Sequence, residues 1–370
     1  MGLGVRMSPQ MCALPPGKRN LISDVPGVLV GHTDVIAEGV RTGVTAVLPG
    51  EDPFGRKFPA ACHIANGFGK SIGLVQIAEL GTLETPILLT NTLSVPVCSE
   101  ALVSGALAEH EEIGLTTGTV NPVVLECNDG AINHIRRRMV TEEDARAALS
   151  SASSDFAEGD VGAGRGMTCF GLKGGIGSSS RVIPLGSSRY TLGVLTLTNF
   201  GAMENLQVSG MALGAELLRA EERGETPLGL LANDAHRRVA PRGETGSIVT
   251  VVATDAPVDA RQLGRLARRV TVGVVRTGGY IGDGSGEIVV AFSTANRVAH
   301  WPDRGIDRIE RLHESEMDGM FRAVASATEE AIVSSLIHAH TVRGLWGTVH
   351  SLADAAAYNG LRLPVGECSR

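Results

Sequence analysis

Aromatic residues and clustered positive charge are both scarce in this chain of 370 residues. Phe, Trp and Tyr together make up 4% of the sequence, so we expect no stacking platform for nucleic-acid bases. The chain has 33 Lys and Arg against 40 Asp and Glu, a net charge of −7. Its densest basic run, at residues 136–138, is typical of a solvated helix edge. This composition argues against a nucleic-acid partner.

Paired cysteines and long apolar runs are also missing. No CxxC pair occurs among the six cysteines, which are Cys12, Cys62, Cys98, Cys127, Cys169 and Cys368. Such scattered cysteines favour reduced, buried thiols over a disulfide framework or a zinc site. No stretch approaches the roughly 18 apolar residues of a membrane span, and the N-terminal segment has no apolar signal-peptide core. We expect a cytoplasmic protein with no membrane partner.

The familiar signatures of cofactor and metal enzymes are absent as well. The glycine runs Gly162–Gly166 and Gly282–Gly286 have the spacing GxGxG, and a pyrophosphate site needs GxGxxG before a helix. The chain contains no Walker A motif, no HExxH pair of histidines and no GxSxG nucleophile elbow. The sequence therefore predicts no nucleotide cofactor and no metal ion.

Glycine is abundant, and strands and helices alternate throughout. The 47 glycines are nearly twice the usual share of about 7%, which is common where loops build a site. β-Rich runs predict strands at Gly27–Val30, Gly43–Leu48, Pro86–Thr90, Pro122–Glu126, Leu192–Thr198, Ser247–Thr254 and Glu287–Ser293. Helical spacing predicts helices from Asp259 through Val274 and at Thr141–Leu149, Asn205–Arg223 and Met317–His338. The polar tract Ser150–Gly159 is interpreted as a surface loop rather than a domain boundary. We expect a layered protein of mixed α and β structure.

The stretch around Gly246 and Ser247 allows two interpretations. A charged loop ends at Gly246, and Ser247 opens a β-branched strand, so the dipeptide alone is typical of a simple turn. Alternatively, cleavage before Ser247 would place a hydroxyl and an α-amine on one residue. Such a residue supplies a nucleophile and a general base together, since an α-amine has a pKa of about 7.7–8.0.

Eleven ordered segments resemble one enzyme family. They are Ile22–Val28, Arg41–Ala46, Leu89–Thr92, Glu126–Gly130, Val161–Met167, Lys173–Gly177, Asn199–Gly201, Gly246–Ser247, Ala253–Pro257, Gly284–Glu287 and Ala291–Thr294. The chain resembles, from about Asn20 to its last helix, the self-processing L-aminopeptidase/D-esterases and β-peptidyl aminopeptidases of peptidase family S58. The resemblance implies an αββα sandwich like that of the N-terminal-nucleophile hydrolases.

The same resemblance implies roles for individual residues. Ser247 matches the nucleophile freed by cleavage after Gly246. Ser285 and Glu287 match the pair that orients the Ser247 amine and hydroxyl, and residues two apart on a strand share a face. Asn199 matches the amide that stabilises the oxyanion. None of the ten histidines lies in these segments, and His236 is the nearest in sequence to Ser247.

Glu126 matches the carboxylate that binds the substrate's amino group. It follows an apolar run, so burial requires a partner, and that partner is either a ligand ammonium or an internal Arg. Two positions depart from the family pattern. Ala131 stands where some aminopeptidases carry Tyr, and Lys70 stands where an acidic residue is familiar. Substrate preference is therefore expected to differ.

The implied enzyme is a serine aminopeptidase cut into residues 1–246 and residues 247–370, both within one αββα domain and assembled as a homotetramer. It would remove N-terminal residues from small peptides, amides or esters with a free amino terminus, through an acyl-enzyme on Ser247. Two enzyme alternatives are an ω-amino amide or oligomer amidase and an acyltransferase of the ornithine acetyltransferase type, whose members mostly use Thr. A third alternative is an unprocessed binding protein without catalysis.

Overall fold

The computed structural model describes residues 14–186, 188–223 and 244–360. Its strands are β1 (Leu29–Ala37), β2 (Val40–Leu48), β3 (Arg56–Gly67), β4 (Thr82–Leu83), β5 (Ile87–Asn91), β6 (Val123–Cys127), β7 (Thr168–Cys169), β8 (Leu172–Lys173), β9 (Ile176–Leu185), β10 (Ser188–Asn199), β11 (Thr245–Thr254), β12 (Gly284–Ser293), β13 (Val298–Ala299), β14 (Val342–Gly344) and β15 (Gly347–Val349). Its α-helices are α1 (Leu74–Leu80), α2 (Val95–Glu109), α3 (Glu142–Ser150), α4 (Leu213–Glu222), α5 (Ala260–Ala267), α6 (Val270–Arg276), α7 (Met317–Ile337) and α8 (Leu352–Tyr358).

Two large sheets form the centre of the structure. The first has the strand order β1-β2-β5-β6, and the second has the order β13-β3-β12-β11-β10-β9, with β4 paired to β3. β11 runs parallel to β12 and antiparallel to β10, so both of its edges are covered. Its β-branched run, which carries no charged side chain, suits a strand with neighbours on both faces.

Buried apolar side chains form three clusters, which separate four layers. One cluster lies between the two sheets and includes Leu125 of β6 and Val249 of β11. A second lies between the second sheet and helices α5, α6 and α7, and receives Ile248 and Val252 of β11. The third lies between the first sheet and helices α2 and α3. The predicted αββα sandwich is therefore confirmed.

Local capping patterns set the first residue of two helices. Thr141 and Asp144 form a capping box at α3, in which the Asp144 carboxylate accepts a hydrogen bond from Thr141 N at 2.8 Å. Asp259 caps α5 by accepting from Gln262 N at 2.7 Å. Both starts were predicted, because a capping box depends on only four consecutive residues.

The extents of two predicted helices are wrong. The helix from Asp259 through Val274 divides into α5 and α6, and α6 packs so closely on α7 that a Cβ on Gly273 would lie 2.5 Å from Thr328 Cβ. Tertiary packing thus sets the direction of α6. The helix predicted at Asn205–Arg223 begins only at Leu213. Ser209 and Gly210 precede it with φ of +54° and +79°, which a right-handed helix does not accommodate.

Three long elements were not predicted at all. β3 contains a proline, β9 contains three consecutive serines and a buried arginine, and α2 contains a proline and a glycine. These residues are usually read as turn or surface signals, so their positions in the core follow from tertiary contacts.

Except for Ser150, which ends α3, the tract Ser150–Gly159 is a loop, as interpreted. It is joined to both sheets by isolated bridges, since Ser153 pairs with Val30 of β1 and Gly159 pairs with Ile176 of β9. The tract therefore connects the two layers of the sandwich.

The cysteines that the structure describes are free thiols. Cys98, Cys127 and Cys169 are buried and Cys62 is half-buried, as expected of reduced thiols, while Cys12 and Cys368 lie outside the described residues. Across residues 14–186, 188–223 and 244–360, no helix combines the length and apolar character needed to cross a bilayer.

Candidate active site

Ser247 is the third residue of β11 and is buried in the middle of the second sheet. It pairs with Asn199 at the end of β10 and lies beside Gly286 of β12. The Ser247 Oγ donates a hydrogen bond to the carbonyl oxygen of Gly246 at 2.7 Å. The hydroxyl is therefore held against the carbonyl group of the peptide bond that precedes it.

Gly246 adopts a backbone conformation that side chains rarely allow. Its φ is +110°, and a Cβ at this position would lie 2.0 Å from the carbonyl oxygen of Asn199. Only glycine avoids both the left-handed strain and this collision. The glycine at position 246 is thus required for the backbone conformation directly before Ser247.

Ser285 and Glu287 form a buried pair at the start of β12. The Ser285 Oγ donates a hydrogen bond to Glu287 Oε1, and Glu287 Oε2 is buried without a partner among the described residues. Burial raises the pKa of Glu287 to about 7, with a smaller contribution from the Glu244 carboxylate, while the bond from Ser285 opposes the rise. This carboxyl therefore titrates near neutral pH.

Strand register places this pair on the other face of the sheet from the Ser247 side chain. Ser247 is level with Gly286, and a Cβ on Gly286 would lie 3.0 Å from Ser247 Oγ, so the two residues share a face. Ser285 and Glu287 flank Gly286 and point the opposite way, because strand side chains alternate. Ser285 is level with Gly246. The pair thus adjoins the Gly246 half of the peptide bond.

Glu244 is a further buried acid at this site, and sequence reasoning missed it. Its Oε2 accepts a hydrogen bond from Tyr280 N at 2.7 Å, its own N–H donates to the Tyr280 hydroxyl, and burial raises the pKa of its carboxyl. Within the described residues, Glu244 Oε1 has no hydrogen-bond partner. The residue ends a polar, charged stretch of sequence, where nothing distinguishes it from a surface acid.

Both ends of the Asn199 side-chain amide are held. Its Oδ1 accepts from Thr168 N at 3.0 Å, and its Nδ2 donates to the carbonyl oxygen of Asn128 at 2.9 Å. A primary amide has two N–H groups, so one remains after the bond to Asn128, and Asn199 is directly opposite Ser247 in the strand register. Asn128 lies in the matching segment Glu126–Gly130 and Thr168 directly follows the segment Val161–Met167, but neither residue was assigned a role.

Glu126 lies at the end of β6 in the first sheet and is 3% exposed. Its Oε1 accepts from Lys70 N at 2.7 Å, and its Oε2 accepts from the Thr92 hydroxyl. No Lys, Arg or His among the described residues forms an ion pair with it. Of the two partners considered for Glu126, the internal arginine is therefore not found among the described residues, and uncharged donors orient the carboxylate.

The segment Gly67–Lys70 connects Glu126 with Ser247. A Cβ on Gly69 would lie 3.5 Å from Glu126 Oε1, and the Phe68 carbonyl oxygen lies 2.8 Å from the Cβ position of Gly286. The Lys70 Nζ sits 4.4 Å from the centre of the Phe68 ring. Both sheets thus contribute to one site through this segment.

Ala131 and His236 are the remaining positions that the sequence analysis named. Ala131 is half-buried in the loop after β6, and its methyl group offers no hydrogen bond where some aminopeptidases have a phenol. His236 lies outside the described residues. Within residues 14–186, 188–223 and 244–360, no group of three or more His, Cys, Asp or Glu is arranged to hold a metal ion.

A family model matches most of the chain. The model for peptidase family S58 matches residues 20–350. The chain belongs to peptidase family S58. It is therefore a hydrolase, as predicted.

Relatives and solved structures agree with the S58 assignment. The chain is 41% identical over 351 residues to the beta-peptidyl aminopeptidase BapA of Sphingosinicella microcystinivorans, and the match covers 92% of this chain and 87% of the relative. The crystal structure of the PH0078 protein from Pyrococcus horikoshii OT3 superposes with a TM-score of 0.84 at 43% identity, covering 95% of this chain and 98% of the other. The L-aminopeptidase D-Ala-esterase/amidase of Ochrobactrum anthropi, described as a variant of the Ntn hydrolase fold, superposes with a TM-score of 0.81 at 31% identity, with 95% and 98% coverage.

Proposed function

We propose that this S58 aminopeptidase cuts its own chain between Gly246 and Ser247 and then uses Ser247 to remove N-terminal residues from small peptides, amides or esters. Residues 1–246 and the 124 residues from Ser247 onward would together build one αββα domain. The observation that carries the proposal is the buried Ser247 hydroxyl, held against the Gly246 carbonyl in the second sheet.

Self-cleavage would begin with attack of Ser247 Oγ on the Gly246 carbonyl carbon. The C–O bond forms as the C–N bond breaks, the proton of the hydroxyl passes to the Ser247 nitrogen, and water then hydrolyses the resulting ester. This leaves a carboxylate on Gly246 and an α-amine on Ser247. The glycine at 246 supports this path, because it adopts the positive φ without a Cβ collision and keeps its carbonyl in contact with Ser247 Oγ.

Gly246→Ala is expected to slow self-cleavage at least about 100-fold. The added Cβ lies 2.0 Å from the Asn199 carbonyl oxygen and must displace the scissile bond, and misplacement by about 1 Å costs a reaction that much. Processing is followed by denaturing electrophoresis over time. Gly210→Ala is the matched control, since Gly210 also has a positive φ but has open space around it. Equal processing of the two variants would contradict the geometric argument.

In the mature enzyme, the freed amine of Ser247 would act as the general base. It must be neutral to accept the hydroxyl proton, and the Ser285–Glu287 pair would hold it, because this pair adjoins the side that Gly246 occupies before cleavage. Acylation forms a bond from Ser247 Oγ to the substrate carbonyl carbon and releases the leaving amine with that proton. Water hydrolyses the acyl-enzyme. The remaining Asn199 N–H would stabilise the oxyanion.

Glu126 would bind the free amino group of the substrate. Among the described residues, each of its oxygens accepts from one uncharged donor, so none of them supplies the positive charge that a substrate ammonium would bring. The relatives named beta-peptidyl aminopeptidases support peptides with an N-terminal β-amino acid as the substrate class. Cleavage of a β-dipeptide and of its α-isomer, compared by kcat/KM, tests this choice.

Glu287 is expected to make the uncut chain less stable as pH rises from about 4.5 to 7. Its pKa in the folded state, about 7, exceeds the reference value of 4.5, so the folded state binds more protons than the unfolded state in this pH window. The free energy of unfolding is therefore expected to fall by up to about 3 kcal/mol across the window. Urea unfolding of Ser247→Ala is compared with Ser247→Ala/Glu287→Gln, which should lack this decline. Glu314→Gln serves as control, because arginine contacts lower the pKa of Glu314. Parallel stability curves for all variants would refute the assignment.

The alternatives differ in the chains and products they predict. Two bands of 246 and 124 residues in denaturing electrophoresis, with Ser247 as the new N-terminus, support the self-processing enzyme. One band of 370 residues supports the unprocessed binding protein. An ω-amino amide amidase would release ammonia from such amides, and an acyltransferase would need a second amine as acceptor. A homotetrameric assembly and a cytoplasmic location remain predictions, and sedimentation of the mature protein tests the first.

A further inference from the structure

Lys173 is fully buried at the end of the short strand β8 and has unusual partners for a cation. Its Nζ donates to three backbone carbonyl oxygens, those of Gly164 at 2.9 Å, Met167 at 2.9 Å and Gly174 at 2.6 Å. Within the described residues, no carboxylate forms an ion pair with it. Burial lowers the pKa of Lys173 to about 7, and the nearby Asp160 carboxylate opposes this shift. Three carbonyl acceptors favour the charged form, which has three N–H groups.

The middle carbonyl belongs to the peptide group that holds Asn199. The Met167 C=O and the Thr168 N–H are two ends of one peptide unit, and the N–H donates to Asn199 Oδ1 at 3.0 Å. The Met167 carbonyl also accepts from Gly174 N at 3.1 Å. A cation on the carbonyl draws electron density from the N–H, so the hydrogen bond to Asn199 becomes stronger.

The polarisation continues through the side-chain amide. When Oδ1 of Asn199 accepts a stronger hydrogen bond, its Nδ2–H groups become better donors by the same effect. One of these N–H groups is bonded to Asn128 O at 2.9 Å, and the other is the oxyanion donor proposed above. The path therefore runs from Lys173 through one peptide unit to the reacting oxygen.

We propose that Lys173 is a positioning residue for catalysis, which orients and polarises the Asn199 amide through the Met167–Thr168 peptide. The inference rests on the proposed oxyanion role of Asn199. If Lys173 only stabilised its loop, its substitution would change folding and self-cleavage by the same amount with and without the Asn199 amide. A residue that acts through Asn199 loses its effect when that amide is removed.

A double-mutant cycle tests the proposal in the mature enzyme. Lys173→Met, Asn199→Ala and the double variant are assayed with a p-nitroanilide that has a free amino group, and kcat is expressed per Ser247 titrated with an irreversible serine reagent. Lys173→Met is expected to lower kcat about tenfold with KM nearly unchanged, and to lower it no further in the Asn199→Ala background. Lys57→Met is the matched control, because Lys57 is largely buried and ion-paired with Glu84.

The outcomes distinguish a failure of the role of Lys173 from a failure of the proposed oxyanion role of Asn199. An equal loss of kcat in both backgrounds, or a change confined to KM, would overturn the role of Lys173. An Asn199→Ala enzyme with full kcat would instead overturn the oxyanion role of Asn199. If Lys173→Met does not fold, Lys173→Gln keeps hydrogen-bond donors without the charge and is expected to show the same dependence on Asn199.

Discussion

Ser247→Ala is expected to yield one chain of 370 residues with peptidase activity at background. The substitution removes the only hydroxyl held against the Gly246 carbonyl among the described residues, so the peptide bond stays uncut. Without the cut, the α-amine base is never formed either. Loss of a catalytic nucleophile costs roughly 10⁶-fold in kcat, and here nucleophile and base are lost together. Intact-mass analysis and turnover of a free-amine p-nitroanilide measure the two effects.

Two variants control for this result. Ser247→Cys keeps a nucleophile at the same position and should still produce two chains, whereas Ser150→Ala alters a serine at the end of α3 and should behave as the unmodified protein. A chain cut after Gly246 in Ser247→Ala, or a new N-terminus other than Ser247 in the unmodified protein, would be incompatible with the proposed maturation.

Glu126→Gln is expected to lower kcat/KM for free-amine substrates by about 10²–10³-fold while self-cleavage proceeds normally. The carboxylate is 3% exposed and accepts from uncharged donors in the part of the chain that the structure describes, so the substrate ammonium would supply a cationic partner that these residues do not. Breaking such a buried charge pair costs roughly 2–5 kcal/mol. Self-cleavage involves no ammonium and is therefore spared. Glu84→Gln is the matched control, because Glu84 is equally buried but pairs with Lys57.

The same pairing between Glu126 and the substrate ammonium can be tested independently by modifying the substrate. Acetylation of its amino group removes the charge that Glu126 would bind, so the unmodified enzyme should lose about as much kcat/KM as Glu126→Gln does. The variant should discriminate little between capped and free substrates. Equal cleavage of both by the unmodified enzyme would point to an amidase or an endopeptidase.

Much of the candidate site could be predicted because its residues stand in short motifs. Ser247 directly follows Gly246, where the positive φ and the close Asn199 carbonyl both require glycine. Ser285 and Glu287 are two residues apart on a strand. Glu244 could not be predicted, since its burial depends on Tyr280, which lies in a different segment of the chain. Similarly, nothing local distinguishes the buried Lys173 from a surface lysine.

By itself, the sequence determined the features that depend on a few neighbouring residues: the caps of α3 and α5, the β-branched run of β11, and the ordered motifs that indicate the family. The tertiary structure alone decided how β3, β9 and α2 are buried and which groups meet at the site. Register between β11 and β12 puts Ser247 and Glu287 on opposite faces, and packing of the two sheets brings Lys70 N to Glu126. These contacts join residues far apart in the chain, and a change of one residue in register would reverse every side chain of a strand.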